Sequence, residues 1–208
     1  QTAYNDLLLQ RDGNRYRWEL LENRNLTLQH LDTNEVLKTV RLGIECGRLP
    51  EDTGTDVPAI LGKFGLLKDG VLNNAAAVLF GKHEDMEYPQ CLLRLARFKG
   101  TDKTVFMDSQ RIQGNFFQLL NAAMAFIFKH LSLSGTTDTL EREEHLTIPY
   151  KAIREGVLNS LTHRSYKEAG GSVGIAIYDD RVEIENPGTF PPDWNAEKMR
   201  SEHESKPQ

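Results

Sequence analysis

The 208-residue sequence predicts an α+β fold in which helices mix with short antiparallel or mixed sheets. Three observations carry that expectation. Apolar residues recur at helical spacing in three separate segments, short apolar runs of strand length lie between them, and the chain's last clear pattern is a helix followed by a β-hairpin.

The first helix is expected over "NEVLKTVRLGIECG", where Val36, Val40 and Ile44 recur every fourth residue. Asp32 and Glu35 have capping-box spacing at its start, and Gly47 is a natural stop. After the Pro/Gly/Asp-rich connector "RLPEDTGTDVP", a second, short helix is expected through "AILGKFGLLKDG", ending at a turn. The apolar runs "AAAVLFG" and "CLLRLARF", separated by the loop "KHEDMEYPQ", read as two strands of one sheet. In the second run Leu93 and Leu95 alternate with Arg94 and, less cleanly, Arg97, which predicts a partly solvated face. A core-packing helix comes next over "GNFFQLLNAAMAFIFKHL", with Phe116, Leu120, Met124, Ile127 and Leu131 at helical spacing. The stretch "SGTTDTLEREEH" reads as a polar connection with a boundary near residue 140. The last helix spans 149 to about 164, with Pro149 suited to a first turn. Beyond it, Val173, Ile175 and Ile177 alternate, Asp179-Asp180 forms a two-residue turn, and Val182 and Ile184 alternate again.

Composition narrows the function. A formal charge of −5, with Lys and Arg scattered, provides no basic field for a phosphate backbone, so nucleic-acid binding by this segment itself is not expected. No apolar run approaches the roughly 20 residues that cross a bilayer, and no charged-then-apolar leader opens the chain. The expectation is a cytoplasmic protein without membrane contact. Cys46 and Cys91 stand alone in apolar segments and read as buried free thiols. The six histidines are dispersed, which argues against a His-rich metal site. "LGKFG" and "GTDKT" each resemble part of a phosphate loop, but neither contains G-x-x-x-x-G-K-[ST], and no G-x-S-x-G, H-E-x-x-H or Gly-x-Gly-x-x-Gly occurs. The chain begins at Gln1 and ends inside a polar segment, so a fragment of a longer protein is expected.

Within the last helix, Ile153, Val157, Leu158 and Leu161 form one apolar side, while Glu155, Asn159 and His163 form a polar ridge at four-residue steps. Taken alone, such a ridge is ordinary solvated surface. Its weight comes from two features downstream, the hairpin and then Asn186-Pro187-Gly188, where a glycine lets backbone approach a ligand.

Together these residues resemble the GHKL ATPase superfamily, the fold of gyrase, histidine kinases and MutL. The chain is most similar to a divergent branch of bacterial and archaeal proteins described as transcriptional regulators or as RecG-related ATP-dependent DNA helicases. In that branch R-E-x-x-x-N-x-x-x-H-R is followed by a glycine pair, a hairpin with D-D-R at its turn, and N-P-G. The chain matches with Arg154, Glu155, Asn159, His163, Arg164, Gly170-Gly171, Asp179-Asp180-Arg181 and Asn186-Pro187-Gly188. "GLLKDGVLNNAAAVLFGK" and "RLARFKGTDKT" also resemble the family's middle region, so the likeness covers most of the chain from about residue 30.

The resemblance implies an ATP-binding region of a DNA-linked transcriptional regulator, with Mg-ATP between the Glu155/Asn159 helix and the loop carrying Asn186 and Gly188. Glu155 would orient or deprotonate the attacking water, and the Asn159 oxygen would ligate Mg²⁺, a hard cation suited to oxygen donors. Asn186 stands where the family presents an Asp to the adenine amino group, and Gly188 would let the loop pass under the base. His163 and Arg164 fall beside the phosphates, with a structural ion pair as the equal reading for Arg164. Whether ATP is hydrolysed or only bound stays open, because the usual Asp is replaced by Asn186. The lid with its second glycine box is expected beyond Gln208, and an AlbA-like (Schlafen-type) DNA-binding domain ahead of the region, so DNA would be met through that domain. Helicase activity has no support, since no helicase phosphate loop is present. The expected divisions are 1–54 (helical lead-in and linker), 55–140 (α+β middle region) and 141–208 (first part of a GHKL-like domain, a partial helix plus β-hairpin). The alternative is a nucleotide-free GHKL-like scaffold or dimerisation module, forming a homo-oligomer.

Overall fold

A computed structural model describes residues 17–82, 88–131, 133–136, 143–146, 148–167 and 169–188. The architecture is α+β, as the sequence predicts, and the chain forms two compact units. One is built from residues up to Cys91 together with Gln113–Gln118; the other comprises Leu92–Ile112 and the chain from Leu119 onward.

The first unit begins with strand β1 (Glu22–Asn23) and helix α1 (Thr33–Glu45). Asp32 caps α1 by accepting from the backbone N–H groups of Asn34 and Glu35 at 3.0 and 3.1 Å, satisfying donors that have no partner inside the helix. Val36 and Val40 are buried against Leu31, Ile60, Leu61, Leu72 and Phe80, and the chain leaves at Gly47 with φ +66°. Helix α2 (Val57–Lys63) is capped by Asp56 and carries Pro58 in its first turn.

Two expectations need correction in this unit. The stretch read as one helix to residue 70 stops at Lys63, and the chain continues into a hairpin of β2 (Leu67–Lys68) and β3 (Val71–Asn73). Asp69 and Gly70 have φ +50° and +79°, the left-handed pair that a two-residue hairpin turn demands. The run "AAAVLFG" is not a strand but helix α3 (Asn74–Phe80). A short apolar run is ambiguous between buried strand and buried helix, and here three alanines and the Asn73 side chain, which accepts from Ala76 N–H at 3.1 Å, decide for helix. β1 pairs with β3, giving the antiparallel order β1-β3-β2. Of the loop expected over 82–90, residues 83–87 lie outside the described residues. The thiols differ from expectation in one respect: Cys91 is buried, but Cys46, just past α1, is exposed.

The second unit is organised by a four-stranded sheet. Strand β4 (Leu92–Phe98) runs parallel to β8 (Val173–Ile177), which forms the expected hairpin with β9 (Val182–Glu185). The register aligns Leu95, Ile175 and Ile184 in one row, so the apolar alternation of all three strands points to the same face. Leu93, Leu95, Val173, Ile175 and Ile177 are buried there, while Arg94 on the opposite face is exposed, as the alternation predicts. The turn closes with Tyr178 N–H donating to the Arg181 carbonyl at 2.9 Å. Asp179 in the turn takes a guanidinium nitrogen of Arg97 and the Gly100 N–H, and these bonds hold its carboxyl below the usual range.

Strand β5 (Phe106–Gln113), a largely exposed edge strand beside β4, was not expected from the sequence; it completes the sheet in the order β5-β4-β8-β9. It is joined to the end of helix α4 (Phe116–His130), where Lys129 and His130 reach Asp108 at 2.9 and 2.8 Å. These hydrogen bonds, Lys129 first, hold the Asp108 carboxyl below its ordinary value. The stretch expected as a bare polar connection contains an antiparallel pair, β6 (Leu133–Thr136) with β7 (Glu143–Leu146). Residues 137–142 between them lie outside the described residues.

Candidate functional site

Helix α5 (Tyr150–Thr162) carries the polar ridge. Its first turn hangs on Pro149, whose carbonyl accepts from Ala152 and Ile153 N–H at 3.0 and 3.2 Å, and its end is closed by His163 N–H on the Asn159 carbonyl at 2.9 Å. Ile153, Val157 and Leu161 are buried, which seats the apolar side as expected; Leu158 is half-buried. Gly156 faces β9: a Cβ there would meet the Ile184 methyl at 3.2 Å, so the glycine sets how closely helix and strand approach. A glycine inside a helical pattern was the sequence signal for such packing.

Glu155 and Asn159 are exposed and adjacent on the ridge, with the Asn159 amide donating to Glu155 Oε1 at 3.2 Å. Because an ionised carboxylate only accepts, the amide must turn its nitrogen toward Glu155. Asn159 Oδ1 is thereby directed away from the carboxylate. The pair thus presents oxygen donors of the kind Mg²⁺ takes when phosphates complete its shell. Among the described residues no group of three or more His, Cys, Asp or Glu is arranged to hold a metal ion.

One turn further on, the helix end meets the loop after β9. Ser165 N–H donates to the Pro187 carbonyl. A Cβ on Gly188 would stand 2.9 Å from the His163 carbonyl oxygen and 3.3 Å from the Asn186 amide. One on Gly171 would stand 2.7 Å from the Pro187 ring. The structure therefore brings His163 and Arg164 together with Asn186-Pro187-Gly188 and the glycine pair, and it gives Gly188 a packing reason of its own. The His163 side chain is exposed, as is Asn186. Arg164 is buried, only 4% exposed, and donates to the Gly171 carbonyl at 3.0 Å with its guanidinium 4.8 Å from the Tyr166 ring centroid. Tyr166 in turn donates to the Leu161 carbonyl at 2.8 Å. Ser165 and Tyr166 were not singled out from the sequence, because their partners are backbone atoms that no periodicity displays; Gly171 was named as one of the glycine pair, though not for its approach to Pro187.

Comparison with known proteins bears on this region directly. Residues 170–208 match a family model described as "Putative ATP-dependent DNA helicase recG C-terminal", a HATPase-like family. The match opens at the glycine pair and takes in the hairpin and the Asn-Pro-Gly turn. The fold is similar to the crystal structure of the DIP2311 protein from Corynebacterium diphtheriae, with a TM-score of 0.67 at 15% identity. The similarity covers 88% of this chain and 35% of that one, so the chain spans about a third of that protein's length. At this identity the likeness speaks for the fold alone. No curated protein matches the chain. Among the described residues no helix is long and apolar enough to cross a membrane.

Proposed function

We propose that this chain contributes part of a Mg-ATP site of a DNA-linked transcriptional regulator, with nucleotide held between the Glu155/Asn159 ridge and the 186–188 loop. The observation that carries the reading is the junction of α5 with the matched segment. The 186–188 loop, which lies within the HATPase-like stretch, is packed on the backbone at the end of the same helix whose exposed ridge pairs Glu155 with Asn159. Asn159 Oδ1 would hold Mg²⁺ alongside the phosphates, and Glu155 would orient or accept a proton from water. The ion supplies charge neutralisation for the phosphates. Asn186, exposed at the loop, offers an acceptor and a donor to an adenine edge, and His163 offers a ring nitrogen near the helix end. Arg164, buried behind the loop, acts as a positioning residue that holds Gly171 and hence the turn. DNA is met by other parts of the protein, which works in the cytoplasm.

The test is calorimetry of the whole protein with ATP and Mg²⁺. Saturable binding that Asn159→Ala weakens by about tenfold or more is expected, on the scale of one lost charge-assisted contact. Absence of binding to the folded whole protein would refute the reading. Glu155→Gln should leave binding intact and abolish any hydrolysis; unchanged turnover in that variant removes Glu155 from the role of base.

A further inference from the structure

The face of the four-stranded sheet opposite α5 carries a depression of about 310 Å³ that the nucleotide reading does not use. Its floor is short-chained: Ala96 pairs with Ala176, and Arg94 pairs with Gly174. Phe98 and Phe106, centroids 4.5 Å apart, wall one end. Five charged side chains line it: Arg94, Lys103, Arg111, Glu183 and Glu185. Both carboxylates are already answered. Glu183 takes Arg181 Nε at 2.7 Å and the Tyr178 hydroxyl at 3.3 Å, while Glu185 lies 3.9 Å from Lys103 Nζ. Among the described residues the side chains of Arg94 and Arg111 make no ion pair or hydrogen bond, although they stand on neighbouring strands of one face. Two unanswered guanidinium forks beside an apolar floor and an aromatic wall suit an oxyanion carried on a flat apolar body.

We propose that this depression binds a small organic anion, a carboxylate or phosphate ester with an aromatic or similarly flat body, gripped by Arg94 and Arg111. The floor strand β8 carries Val173, Ile175 and Ile177 on its other face, where they are buried. An occupant would therefore be an effector of the unit and not its nucleotide. The proposal stands independently of ATP binding.

The test is titration of the ¹⁵N-labelled chain with phenyl phosphate, with benzoate and with inorganic phosphate, monitored by amide shifts. Saturable shifts at Arg94, Arg111, Gly174 and Ala176 in the millimolar range are expected for phenyl phosphate or benzoate. Which of the two binds tighter identifies the head group, and inorganic phosphate alone should bind at least about tenfold more weakly because it leaves the apolar floor uncovered. Arg94→Gln and Arg111→Gln should each weaken binding about tenfold. Gly174→Val blocks the floor without removing a charged group; a Cβ there meets only Glu185 atoms at 3.9 and 4.0 Å, an ordinary contact distance, so the strand accepts it. Failure of both aromatic probes to shift these amides, or binding indifferent to Gly174→Val, overturns the proposal. So does a concentration-dependent dimer dispersed by Arg94→Glu, which would assign the two arginines to a second copy.

Discussion

Gly188 and Gly171 stand where a methyl group has no room, and both close approaches hold the same loop. At Gly188 the obstacle is the His163 backbone carbonyl, 2.9 Å from an ideal Cβ, and backbone cannot swing aside as a flexible side chain can. Gly188→Ala is expected to destabilise the second unit by about 1–3 kcal/mol, the usual cost of overpacking a tight contact, measured by urea denaturation. An unchanged midpoint would mean that the loop is not seated on the helix end. A second residue-scale test concerns charge. The folded Asp179 carboxyl titrates below its ordinary value through Arg97 and the Gly100 N–H. Its contribution is therefore complete above the unfolded value of about 3.9 and is lost as pH falls through the folded value. Asp179→Asn should lower the melting temperature at neutral pH, with the gap from wild type closing in acid; a gap that persists or widens there refutes the linkage. Glu155 and Asn159 were legible in the sequence because a four-residue step is local. Gly156 was not, and Gly171 and Arg164 were named without the contacts they make, since each answers to an atom that only tertiary folding brings near: Ile184, Pro187 and the Gly171 carbonyl.

Each element that the sequence announced carried an end signal or a clear period. Asp32 marked α1, Pro149 marked α5, and strict alternation marked β8 and β9. The failures share a different physics. "AAAVLF" is apolar all round, so neither the helical nor the strand period stands out, and the deciding residue was the one before the run. Asn73 accepts from Ala76 N–H and donates to the Gly65 carbonyl at 2.9 Å, tying α3 to the preceding loop. Asn73→Ala is expected to cost about 1–2 kcal/mol, as N-cap loss does, read from the thermal midpoint. Asn73→Asp should recover part of the loss, because it keeps the capping acceptor while removing the donor. If both variants match wild type, the cap contributes nothing. β5 escaped notice for the opposite reason: as an exposed edge strand it buries too little to write an apolar pattern, and Asp108 is there to meet Lys129 and His130.

At the scale of the molecule, shape and charge give opposite indications about DNA. The first unit sets β1, then two helices, then the β2–β3 hairpin, with β1 paired to β3, and a helix pair beside a hairpin is a shape that can enter a DNA groove. In that arrangement the second helix would enter a major groove and the hairpin would flank it. Yet the exposed residues of α2 are Pro58, Ala59, Gly62 and Lys63, preceded by exposed Glu51, Asp52 and Asp56, and the hairpin tip offers Lys68 beside Asp69. Phosphate contacts dominate DNA affinity, and each requires a cation to release a counterion. One lysine on the helix and one on the hairpin, in a chain of net charge −5, fall well short of the several contacts that hold a duplex. Charge should decide, so a fluorescently labelled duplex is expected to show no saturable anisotropy change with residues 1–208 at low salt. Saturable binding that weakens steeply with added salt would place DNA contacts on this segment, and Lys63→Glu together with Lys68→Glu would then have to abolish it.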